Sequence, residues 1–131
     1  MTVSPGSPGG RRKRGRLSRS GDFDRVYRDG QSHANRFLVL YAFPRRDEDR
    51  AEVTRLGISV SRKVGGAVQR NAVKRALREA FWSLDDATRG HDVVLVARPD
   101  VAGLLEREGM RGVAAALAEL LAEAGLGNAT I

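Results

Sequence analysis

The 131-residue chain has no cysteine, which removes disulfides and thiolate zinc sites together and fits a reducing compartment. Aromatic residues make up only 5% of it, with a single tryptophan, so any base-stacking surface must draw on a few positions. No segment reaches the roughly 20 apolar residues that span a bilayer, and the opening Met-Thr-Val-Ser-Pro-Gly-Ser-Pro-Gly-Gly has no apolar run of signal length. The expectation is a soluble, cytoplasmic protein. His33 and His91 are isolated, without a second histidine at metal-ligand spacing and without an implied serine or cysteine partner. The acidic triplet Asp47, Glu48 and Asp49 occupies successive loop positions, whose side chains diverge instead of converging on a metal. No catalytic residue, no metal ligand and no directly bound cofactor is assigned.

A further absence is local. Between Lys63 and Arg78 the chain carries Lys63, Arg70, Lys74, Arg75 and Arg78 and no carboxylate. Surface helices normally intersperse Glu with Lys or Arg for i,i+4 support. A strip with cations alone suits phosphate, because each cation set against a nucleic-acid backbone releases condensed counterions. The whole chain has a net charge of +7, but its distribution is more telling. Residues 1–78 hold 19 Lys/Arg against 7 Asp/Glu, a balance of +12, and the remaining 53 residues hold 4 against 9, a balance of −5. A polyanion is therefore drawn to the first two thirds of the chain.

With 41% hydrophobic residues, the length suits one domain with its own core. Residues 1–16 combine Gly, Pro and Ser with Arg11, Arg12, Lys13, Arg14 and Arg16 and read as a flexible basic arm. Ser20 is placed to cap a helix over residues 21–29, with Phe23, Val26 and Tyr27 at i, i+3, i+4 and Gly30 as its stop. Strands are expected over 36–43 and 55–61. In the second, Leu56, Ile58 and Val60 alternate with Arg55, Gly57, Ser59 and Ser61 on an open face. Residues 31–35 are too short for a firm strand assignment. A helix over 67–84 places Val73, Leu77, Ala80, Phe81 and Leu84 on a core stripe, with Asn71, Lys74, Arg75 and Arg78 opposite. The run 92–97 suits a central strand, and residues 105–124 a last helix closed by Gly125. The fold class is α+β, one sheet with helices.

Lys63-x-Gly65-x-Ala67-Val68-x-Arg70-Asn71-x-x-Lys74-Arg75, preceded by Gly-Ile-Ser-Val-Ser and followed by Arg78 and Phe81, resembles the signature of the protein subunit of bacterial ribonuclease P. Leu17, Asp22-Phe23, Val26-Tyr27, Gly30, Asn35-Arg36, Leu40-Tyr41 and Val93–Arg98 extend the similarity over about residues 16 to 122. The resemblance implies a ribosomal-protein-like fold of about four strands in α-β-β-β-α-β-α order, with a left-handed strand-helix-strand crossover against the common hand. It divides the chain into an arm (1–16), an RNA-binding domain (17–125) and a tail (126–131).

It also implies a part in removing the 5′ leader of precursor tRNA, with catalysis and magnesium carried by the RNA subunit. Contact with that RNA would fall to Lys63, Gly65, Ala67, Arg70, Asn71, Lys74, Arg75 and Arg78. The single-stranded leader would fall to Phe23, Tyr27 and Tyr41, with Ser59 and Ser61 beside them. The implied partners are the catalytic RNA and precursor tRNA, with no membrane and no obligate protein partner. A ribosomal or other structural RNA-binding protein would share the charge and the arm and would differ in having no processing role.

Overall fold

The computed structural model describes residues 13–17, 20–44, 53–84 and 90–126. In chain order these form β1 (Lys13–Arg16), α1 (Ser20–Asp29), β2 (Gln31–Ala34), β3 (Leu38–Pro44), β4 (Val53–Val60), α2 (Ala67–Ser83), β5 (His91–Ala97) and α3 (Val101–Glu123). One mixed sheet in the order β1-β4-β5-β3-β2 organises the molecule. β4 runs parallel to both β1 and β5, while β3 is antiparallel to β5 and to β2. Because β4 and β5 are parallel neighbours, their connection must cross over the sheet, and α2 supplies that crossover.

Each face of the sheet buries a different set of side chains. Leu38, Leu40, Leu56, Val93 and Leu95 pack with Val73, Leu77, Ala80 and Phe81 of α2 and with Val101, Val113, Leu117 and Leu120 of α3. The opposite face carries a smaller cluster of Leu17, Val26 and Val94, against which Phe23, Tyr41, Phe43 and Val96 pack. α1 thus covers only part of its face of the sheet. The β5 run is apolar almost throughout because helices press on both of its sides, Val93 and Leu95 against one layer and Val94 against the other.

Several expectations shift. The sheet has five strands instead of about four, and the chain order begins with a strand. The extra strand is β1, which takes Lys13–Arg16 out of the expected arm. A sequence of Lys, Arg and Gly carries no strand signal of its own. It is ordered by parallel pairing with Val53–Leu56, continued where Leu17 N–H donates to the Leu56 carbonyl at 3.1 Å. Residues 1–12 lie outside the described residues, as does the acidic triplet 47–49. Residues 31–34 do form a strand, held antiparallel to β3. Ser20 is the first residue of α1 rather than the residue before it.

α3 begins at Val101, four residues before the expected start, because the chain passes through Gly109 at φ 65° and resumes as helix. A glycine tolerates that left-handed kink, so the apolar stripe continues across it. At the other end, Gly125 has φ 75° and Leu126 N–H returns to the Leu121 carbonyl at 2.7 Å. Leu126 packs against the main core and therefore belongs to the domain, which moves the expected tail boundary by one residue. Residues 127–131 lie outside the described residues. Among the described residues, no helix is long and apolar enough to cross a membrane.

Candidate nucleic-acid interface

The expected cationic helix is present and ends one residue early, with Leu84 as its C-cap. Val73, Ala76, Leu77, Ala80 and Phe81 of α2 are buried, which turns Asn71, Arg75 and Arg78 outward and leaves Lys74 half-buried. Arg75 Nε donates to Glu79 Oε2 at 3.0 Å, an exposed i,i+4 pair that solvent largely screens. Among the described residues no carboxylate lies within ion-pair distance of Lys63, Arg70, Lys74 or Arg78. The Nε of half-buried Arg70 is enclosed without a hydrogen-bond partner. Val68, 83% exposed, adds an apolar knob to this polar surface.

The turn before α2 is tighter than its two glycines suggest. Gln69 folds back so that its Oε1 accepts from Gly66 N–H at 3.2 Å, and a Cβ on Gly65 would collide with that same side chain. A backbone donor at the start of α2 that could meet an anion is thus already engaged by the chain itself. Ser61 stands just beyond β4, exposed, where its Oγ accepts from Lys63 N–H at 3.3 Å. It belongs to the turn that carries Lys63, and among the described residues no contact joins it to the aromatic group of the expected leader site.

The remaining residues of that group do come together. Tyr27 and Tyr41 meet edge to face with ring centroids 4.8 Å apart, and Phe23 lies 6.2 Å from Tyr27. Ser59 is hydrogen-bonded to the Tyr27 hydroxyl, and burial together with the neighbouring Tyr41 raises the Tyr27 pKa above its usual 10.0. Strand register explains the grouping. Gly57 stands beside Val94 and Val94 beside Tyr41, while Ser59 stands beside Val96 in the next row. Phe23 lies over Gly57 so closely that a Cβ there would sit 2.6 Å from the ring. The face expected to be open around Gly57 is therefore covered by a ring that needs the missing side chain.

Arg55 is also not open. Its Nε and Nη2 donate to Asp92 at 2.9 and 2.7 Å, while Arg25 Nη2 from α1 reaches the same carboxylate at 2.8 Å. Asp92 is fully buried, and Asp22 completes the group at 3.4 Å from Arg55 Nη1. The hydrogen bond to Asp92 raises the Arg55 pKa further. Arg25 lies 5.2 Å over the Phe43 ring. This network fastens α1 to β4 and β5 and so sets where Phe23 and Tyr27 stand. A carboxylate at the head of an otherwise apolar strand was the available signal, since a buried acid requires a partner.

A helix with a predominantly cationic outer face, beside clustered aromatic rings on a partly covered sheet, defines a class: a small α+β nucleic-acid-binding domain. Comparison with known proteins narrows that class to one family. Residues 12–124 match the family model described as Ribonuclease P. The chain belongs to this family of ribonuclease P protein components, which work with an RNA subunit in tRNA 5′ processing.

It is 38% identical over 118 residues to a ribonuclease P protein component of Clostridium botulinum, covering 88% of this chain and 99% of that one. It is 45% identical over 93 residues to that of Caldanaerobacter subterraneus subsp. tengcongensis, covering 70% and 77%. Among solved structures, the RNase P protein of Staphylococcus aureus superposes with a TM-score of 0.71 at 32% identity, covering 86% of this chain and 97% of that one. The Thermotoga maritima RNase P protein gives 0.71 at 31% identity, covering 82% and 96%.

Proposed function

We propose that this chain binds the catalytic RNA of ribonuclease P through the turn and outer face of α2, and holds the 5′ leader of precursor tRNA on the sheet face beside α1. The first surface comprises Lys63, Gly65, Ala67, Arg70, Asn71, Lys74, Arg75 and Arg78. The second comprises Tyr27, Tyr41 and Ser59, with Phe23 as its wall and Ser61 in the turn that leads to the first. Hydrolysis, and the magnesium ions that assist it, belong to the RNA subunit in this reading. The protein's own part is to bind, orient and neutralise charge. A cysteine-free chain suits cytoplasmic work of this kind.

The observation that carries the reading is the contrast between adjacent surfaces. On one side a rigid helix presents cations of which, among the described residues, only Arg75 has an acidic partner, as a folded phosphate backbone requires. On the other, tilted aromatic rings and a hydroxyl suit unpaired bases, which can stack and bond along their edges.

Cleavage of a precursor tRNA by the RNA subunit at low magnesium, with and without this protein, is the direct test. Addition of the protein is expected to restore cleavage, and an unchanged rate defeats the reading. Replacing Tyr27 by Ala is expected to weaken precursor binding by about 1 to 3 kcal/mol if a base stacks there, with RNA-subunit assembly intact. Equal wild-type affinity for precursor and mature tRNA would remove the leader from the account.

A further inference from the structure

A cleft of about 420 Å³ opens at the β1 edge of the sheet, lined by residues of β1, α1, β4 and α2. Its wall is made by Leu17, Leu56, Ile58, Phe23 and Trp82, and its cations are Arg16 from β1 and Lys74 and Arg78 from α2. That volume lies in the range of roughly 300 to 1,000 Å³ typical of small-molecule sites. Among the described residues, no acidic residue lines the cleft. Among the described residues, none of the three cations has an ion-pair partner. Trp82 is half-buried, with Phe81 set edge to face behind it at 4.9 Å, so its position is fixed by packing.

The geometry points to a binding site for one nucleotide, with the base against Trp82 and Phe23 and the phosphate among Arg16, Lys74 and Arg78. An apolar, aromatic wall alone would suit any hydrophobic ligand, and three free cations alone would suit any anion. Their convergence in one cleft selects a ligand with a flat ring at one end and a phosphate at the other. Such a unit has two sources, an unstacked nucleotide of an RNA or a free nucleoside monophosphate. The inference rests on the proposed RNA contact only in sharing Lys74 and Arg78. Arg16 and Trp82 are additional to it.

Trp82 is the only tryptophan of the chain, so its fluorescence reports on the cleft directly. The full-length protein would be titrated with adenosine 5′-monophosphate and, in parallel, with adenosine, ribose 5-phosphate and inorganic phosphate, exciting at the red edge of the indole band where nucleotides do not absorb. Saturable quenching by the nucleotide, absent or much weaker with each fragment, is expected. Arg16→Ala and Arg78→Ala should each raise the half-saturating concentration about tenfold, the loss of one charge-assisted contact.

Repeating the titration with the RNA subunit bound separates the sources. Loss of the nucleotide response assigns the site to RNA, and an unchanged response assigns it to free nucleotide. Equal quenching by phosphate alone, or no saturation, overturns the inference. Assembly with the RNA subunit, measured on the same protein, keeps the two readings apart. Normal assembly without nucleotide quenching removes the cleft alone, whereas failure to assemble removes the proposed function whatever the fluorescence shows.

Discussion

Asp92 meets three arginine N–H groups while its side chain is wholly enclosed. A buried carboxylate is held there only as long as its partners compensate its lost hydration. Removing the acid would leave Arg55 and Arg25 sharing only the more distant Asp22, at 3.4 and 3.5 Å. Both are partly exposed, at 18% and 38%, and can turn toward water. Asp92→Ala is therefore expected to cost about 3 kcal/mol, the lower end for a broken buried pair, measured by urea unfolding. Affinity for the RNA subunit should hold, because the outer face of α2 does not contact this network. Tyr27 gives a second residue-scale expectation. Its pKa is raised, chiefly by burial, so the folded state favours the neutral phenol. The stability this contributes is complete below pH 10.0 and is lost as pH rises through the higher folded value. Spectrophotometric titration of the tyrosines should show this phenol ionising above 10.0 in the native protein, and Tyr27→Phe should remove that step.

Elements built on a strong hydrophobic period were legible in the sequence, because burial on one side writes a regular pattern. The stripe Val73, Leu77, Ala80 and Phe81 is buried as expected, and the same period turns Lys74 and Arg78 away from the core. β1 was not legible, since its four residues contribute backbone rather than apolar side chains and are ordered only by a strand some 40 positions later. The open face of β4 was misjudged for a related reason. Alternation shows which residues share a face, but not that Phe23 from α1 would lie over Gly57 or that Arg55 would find Asp92. The candidate site follows this division: α2 was readable as a unit, while the cleft at Trp82 needs β1, α1, β4 and α2 assembled. For α2 itself, Lys74→Ala should weaken assembly with the RNA subunit and reduce the slope of log affinity against log salt by about 1. An unreduced slope would mean that Lys74 faces solvent, or the cleft alone, in the complex.

Across the whole molecule, charge and architecture are coupled at the N-terminal edge. β1 brings basic sequence to the open side of β4, next to Lys74 and Arg78 of α2, so the edge strand both completes the sheet and extends the positive surface. These two contributions separate by truncation. A chain beginning at residue 13 loses Arg11 and Arg12 and keeps β1. Its thermal midpoint should be unchanged, while its salt slope on the RNA subunit falls by up to about 2 if both arginines reach phosphate. A chain beginning at residue 17 loses β1 as well, which bares the backbone of β4 along Val53–Leu56. An unpaired edge is a template for another strand, so this shorter chain should melt at lower temperature and self-associate as its concentration rises, followed by sedimentation. Were the first truncation to lower the midpoint as far as the second, the stabilising contacts would lie before residue 13 and β1 would not be the element that closes the sheet.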